Sequence, residues 1–253
     1  MTTAALATGK LGKLPVRTDV RTLRLKRYVD AATLPTPPAT LDLTPHVAEW
    51  PMYANDRRGD CTTAAAGHMI EAWTAAAAGK AVEISEKAVL AAFDEVRVVD
   101  PLTGEEGAIE LDVLRLWRKH GIARHRIGAF ASVPRYEHEL VRAAAWLFGG
   151  LYIGLSLPLS ARRQDVWDWT GSLSGDSKPG SWGGHAVDVV GFDAAGLTVV
   201  TWGRLQAMTW SFWDRYCDES YAVLSRDFLS HGRAPNGFDL RALKADLELV
   251  TAP

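Results

Sequence analysis

Apolar and polar positions recur with two different periods along this chain, helical in its first half and strand-like in its second. The stretch TTAAAGHMIEAWTAAAAG (62–79) is Ala-rich and ends on Gly79, which predicts a long helix with a glycine stop. SEKAVLAAFDEVR (85–97) predicts a second helix capped by Ser85. IELDVLRLWRKHG (109–121) repeats apolar residues at helical spacing, and HELVRAAAWLFG (138–149) does so again. Near residue 150 the pattern changes. LYIGLSL (151–157) alternates as a strand; AVDVVGFD (186–193) and LTVVTWG (197–203) flank a short Ala-Ala-Gly turn and read as a hairpin; SYAVLS (220–225) is a further strand. Residues 238–250 read as a closing helix or strand. Helices first and antiparallel strands second predict an α+β fold. It divides into a helical lobe over about 46–149, a β lobe over about 150–230 and a tail over 231–253.

Residues 1–45 stand apart. Segment 10–28 is basic and broken by Pro15, and it leads into LPTPPATLDL, where Pro35, Pro37 and Pro38 favour extended backbone. This predicts an extended arm that packs over the body or over a protein partner.

Composition narrows the function classes. Of 253 residues 47% are hydrophobic and 23% charged, and 28 basic against 30 acidic side chains give a net charge of −2. That balance gives no pull toward nucleic acid or an anionic membrane surface. No window reaches the roughly 18 uninterrupted apolar residues of a membrane span. The first twenty residues lack a secretory core, so the expected location is cytoplasmic, with a virion-associated protein left open. Two cysteines, Cys61 and Cys217, make no disulfide framework and are expected as reduced thiols. No Cys/His spacing suits zinc and no phosphate-binding glycine loop is present, so neither metal nor cofactor is expected.

Cys61 directly precedes the Ala-rich helix, after the turn-forming NDRRGD. A thiol at a helix N-terminus sits at the positive end of the peptide dipoles, which favours the nucleophilic thiolate. The plainer alternative is a small buried hydrophobe. His185, in GGHAVDVVGFD, begins a strand after two glycines. A neutral imidazole there would take the thiol proton, although a lone strand-edge histidine is more often structural. His68 reads as packed or surface, His120 and His125 as solvated near a helix end, and Asp188 as a buried partner for an arginine.

The ordered motifs resemble papain-like cysteine peptidases of bacterial or phage type. Asn55-Asp56-Arg57-Arg58-Gly59-Asp60-Cys61 is similar to the family's segment before the nucleophile, with Asn55 six residues ahead where the family usually has Gln. LPTPPATLDLTPHVAEWP resembles the family's mature start. Gly184-His185-Ala186-Val187, followed by Val190-Gly191-Phe192, resembles its histidine motif. LTVVTWG with Trp210 resembles its next strand, and EEGAIELDVLRLWRKHGI resembles the helix before its second lobe. The resemblance covers about residues 33–225. It implies a two-lobed α+β fold whose central helix starts at the cysteine, with a C-terminal antiparallel sheet or barrel. It also implies an amide-bond hydrolase acting through a Cys61 thioester, with His185 as the proton carrier and Asn55 in the oxyanion hole. Peptides or proteins are then the substrates, with Trp182, Gly184 and Trp202 beside them. Trp167, Trp169, Arg162 and Arg163 belong to the same loop, which is expected to border the cleft or to lie buried between lobes.

The chain departs from the family where its orienting Asn would stand. Thr201 lies there, sixteen residues after His185, and offers only a short hydroxyl. Thr62 and Thr63 follow the cysteine in place of the usual Trp. Asp60 precedes it and disfavours thiolate unless its carboxylate caps the helix and points away. A catalytically degenerate papain-like domain in a larger assembly, or a peptidoglycan amidase, are the alternative readings. A prosegment is common in the family, but the segment before the mature-like start is short for one. The arm is therefore expected to dock without crossing the cleft.

Overall fold

The structure is a computed structural model and describes residues 9–27 and 36–228. Pro35, the predicted element at 238–250 and the 231–253 tail lie outside the described residues. In chain order the elements are β1 (Leu23–Arg24), β2 (Leu41–Asp42), α1 (Cys61–Ala78), α2 (Glu86–Val96), β3 (Val98–Val99), β4 (Glu106–Gly107) and α3 (Glu110–Lys119). Then follow β5 (Ile127–Ser132), α4 (His138–Phe148), β6 (Leu151–Leu157), β7 (Val166–Trp167), β8 (Gly183–Phe192), β9 (Gly196–Thr201), β10 (Arg204–Thr209), α5 (Trp210–Tyr216) and β11 (Cys217–Ser225).

The helix signals act as the sequence suggests. Gly79, at φ 71°, closes α1 and its N–H donates to Ala75 O. The Ser85 side chain accepts from the Ala88 N–H and starts α2. α1 is buried on nearly every side, as a helix with apolar or small residues all round must be.

One sheet organises the rest, in the order β1-β5-β11-β6-β8-β9-β10-β7, with β2 on β8. Its centre is antiparallel, and β1–β5 and β7–β10 add parallel pairs at the edges. Two cores lie against it. One joins α1 to α2, α3 and one side of the sheet through Met69, Trp73, Phe93 and Trp117. The other is built from α4, α5 and the sheet through Val141, Leu155, Trp167, Phe212 and Trp213. α4, which the pattern groups with the preceding helices, thus packs with the second core. The periodicity misses β5, β10 and α5.

Candidate active site at the junction of α1 and β8

Three elements build the site. Cys61 is the first residue of α1, His185 the third of β8, and Thr201 the last of β9. β8 pairs antiparallel with β9, which brings His185 Nε2 to 2.7 Å from Thr201 Oγ1. β9 then turns into β10 through Trp202 (φ 46°) and Gly203 (φ 69°). Two consecutive left-handed residues are what a tight two-residue hairpin requires. Glycine adopts that conformation freely and tryptophan does not. The strained Trp202 lays its ring on the imidazole, with centroids 4.4 Å apart and planes at 19°. Trp182 packs behind it at 5.3 Å, and Arg162 lies over Trp182.

The sulfur of Cys61 lies within hydrogen-bonding reach of two backbone N–H groups, Ala186 and Gly12. Cys61 and His185 are each only 1% exposed. Burial first, then the charges of Asp60 and Glu110, push the thiol up to about 12. Burial, with His68 second, pulls His185 down to about 3. Both groups are therefore neutral near pH 7. The thiolate expected from the helix terminus is absent because removal from water outweighs the dipole. Among the described residues His185 Nδ1 has no hydrogen-bond partner, so the expected thiol–imidazole bond is not formed in this state.

The cause of that burial is the N-terminal arm, and here the expectation that it avoids the cleft is corrected. The Gly12 and Lys13 N–H groups donate to Gly184 O at 3.3 and 3.1 Å. On the opposite side Ala108 N–H donates to Gly12 O and Leu14 N–H to Ala108 O. Asn55 Nδ2 and Trp202 Nε1 both donate to Lys10 O, at 3.2 and 3.1 Å. Extended main chain thus runs between the loop before α1 and the start of β8, directly over the thiol. Gly12 is required there, since a Cβ would stand 1.9 Å from Gly59 O. Beyond Pro15 the arm docks on the body as expected: β1 pairs with β5, and Leu25 is buried in the second core.

No family model matches the sequence, and no curated protein matches it. Solved structures do. Xylellain, a cysteine protease from Xylella fastidiosa, superposes with a TM-score of 0.65 at 15% identity, covering 89% of this chain and 99% of that one. Digestive procathepsin L 3 of Tenebrio molitor gives 0.57 at 14% identity over 87% and 77%. A Carica candamarcensis cysteine protease gives 0.53 at 16% over 74% and 99%.

This chain has a papain-like fold.

Within that fold Cys61, Asn55, Gly184 and Trp202 meet the segment 10–14, His185 is held between Thr201 and the Trp202 ring, and Trp182 packs against Trp202. Trp167 is buried in the second core against Phe212 and Trp202, whereas Trp169 and Trp182 are half-buried. A groove of about 450 Å³ continues past Trp202, lined by Gly9, Arg162, Trp182 and Arg204. Asp60 makes no side-chain cap, so its charge works against the thiolate as the sequence reading allows; it is buried, and burial lifts its carboxyl to about 7 against the pull of backbone N–H groups and Asn55. One expectation needs correction: among the described residues Asp188 has no arginine partner, and burial holds its pKa well above the usual carboxylate range. His68 is packed between Trp50 and Tyr53, with Nε2 2.8 Å from Pro51 O.

Sequence reasoning missed Lys13 and the carboxylates around it. Lys13 Nζ is 3.0 Å from carboxylate oxygens of both Asp218 and Glu219, and the side chain is buried. The only sequence signal is a basic arm and an adjacent acidic pair 205 residues apart, and no local pattern joins them.

Proposed function

We propose that this protein is a cysteine-dependent amide-bond hydrolase, a peptidase, folded with its own segment 10–14 in the substrate cleft. The observation that carries the reading is the way that segment is held. Its extended backbone crosses the Cys61 sulfur, bonded on one side to Gly184 and on the other to Ala108, as a peptide substrate would be.

With the arm displaced, water re-enters and the burial cost on both groups falls. His185, through the unpartnered Nδ1, takes the Cys61 proton as the sulfur attacks the carbonyl carbon. The same nitrogen gives that proton to the leaving amine, releasing it and leaving a thioester. It then draws a proton from the water that cleaves the thioester. Thr201 at Nε2 and the stacked Trp202 fix the ring through both steps. The Cys61 N–H and Asn55 Nδ2, the latter engaged by Lys10 O in the closed state, are the donors for the oxyanion.

A peptidyl acyloxymethyl ketone tests this on the full chain. Wild type is expected to label slowly. The Gly12→Val chain, whose side chain cannot fit against Gly59, is expected to label at least about a hundredfold faster. Labelling should disappear in Gly12→Val/Cys61→Ala and fall sharply in Gly12→Val/His185→Ala. No labelling of the Gly12→Val chain at Cys61 would leave a catalytically degenerate domain.

A further inference from the structure

Lys13 enters a site built for it. The floor is Gly154 of β6, where a Cβ would stand 2.0 Å from Lys13 Cε and any larger residue would close the space. The wall is the start of β11. Its register against β6 slips between Cys217 and Glu219, so the paired residues are Cys217–Leu155 and Glu219–Gly154. The bulge breaks the usual alternation of faces and turns two consecutive side chains, Asp218 and Glu219, to the same ammonium group. Ser156 Oγ donates to Asp218 and Tyr221 Oη to Glu219, so each carboxylate is oriented before any cation arrives. Glu110, first residue of α3, is fully buried with neither oxygen hydrogen-bonded among the described residues, and its charge bears on Lys13.

Two carboxylates therefore meet one buried ammonium, and the charge of a third, Glu110, acts on it without touching it. Burial alone would lower the Lys13 pKa; Glu110, Glu219 and Asp218 together reverse this and hold it above the ordinary lysine value. The site also lies beside the chemistry. Gly154 pairs with Ala186, whose N–H faces the Cys61 sulfur, and Lys13 follows the glycine that crosses that sulfur.

We propose that this pocket sets substrate specificity: when a peptide replaces the arm, a lysine or arginine side chain of the substrate occupies the site between Gly154, Asp218 and Glu219. The proposal rests on the peptidase reading and names its substrate class, peptides with a basic residue close to the scissile bond. An apolar side chain there leaves buried carboxylates without a cation, and an acidic one adds to their repulsion, so the pocket discriminates against both.

The test uses the full chain opened by Gly12→Val, with Lys13→Glu as a second opened form, since its acidic side chain is repelled by the same carboxylates. Fluorogenic peptides carry Lys, Arg, Leu or Glu at one position at a time on either side of the scissile bond. At one position the kcat/KM for Lys or Arg should exceed that for Leu by at least about tenfold, and Asp218→Asn/Glu219→Gln should bring the ratio near one. A preference for Leu at every position, or a basic preference untouched by the double substitution, overturns the proposal. If no peptide is cleaved, the peptidase reading fails, and the pocket is read by binding alone. The peptide Gly-Lys-Leu-Gly-Lys-Leu-Pro-Val, residues 9–16, should then bind the opened chain at least about tenfold more tightly than its analogue with norleucine at the second lysine. Equal binding of the two would overturn the pocket as well.

Discussion

Thr201 holds the His185 imidazole through a single hydroxyl. Its hydroxyl reaches His185 Nε2 at 2.7 Å because β8 and β9 are adjacent and the Trp202 ring covers the contact. The short reach of threonine is met by the closeness of the strands. Thr201→Val keeps the shape and removes the partner, leaving a buried ring nitrogen unsatisfied at a cost of about 1–3 kcal/mol. In the Gly12→Val background kcat is expected to fall by about tenfold or more with KM little changed, because Thr201 touches the imidazole and not the peptide. Thr201→Ser should restore most of the loss, and an unchanged kcat in Thr201→Val would remove Thr201 from the mechanism.

At the scale of elements, what was legible in the sequence was whatever local chemistry decides. Gly79 and Ser85 end and start helices within a few residues of their own bonds, and both are readable. The hairpin of β8 and β9 was legible for the same reason. β5 and α5 were not, because their strand pairing and packing come from residues far along the chain, with β5 held between β1 and β11. Among the site residues, Cys61 and His185 stood out by their positions at element ends. Lys13 did not, since its partners are gathered by a bulge that no pattern announces. The start of α1 also carries a cost. Asp60 occupies the cap position without capping, and its folded value of about 7 lies above the ordinary 3.8. A raised carboxyl contributes stability that is present below about pH 4 and lost as pH climbs through about 7. Asp60→Asn should escape that loss. Its stability relative to wild type is expected to improve by on the order of 2–4 kcal/mol from pH 4 to pH 8 in urea titrations. A pH-independent difference would mean that Asp60 is not held protonated.

At the scale of the whole molecule, two cores pack on one sheet, and the chain's own segment 10–14 lies over Cys61 between the loop before α1 and the start of β8. The arm uses the cleft in two ways: its backbone bonds occupy the positions around Cys61, and its one buried lysine neutralises the carboxylates that border them. Both are lost together when the arm leaves, so on the proposed reading opening simultaneously exposes Cys61 and uncovers an acidic pocket. The same account predicts a closed state with little activity, the thiol being raised to about 12 and the imidazole lowered to about 3. The most direct test is the digestion of a denatured protein substrate, with new termini counted by mass spectrometry, for wild type, Gly12→Val and Gly12→Val/Cys61→Ala. Cleavage that is faint in wild type, strong in Gly12→Val and absent from the double variant is the predicted result. Equal absence of cleavage in all three would contradict the hydrolase, and equal cleavage in wild type and Gly12→Val would contradict the closed arm.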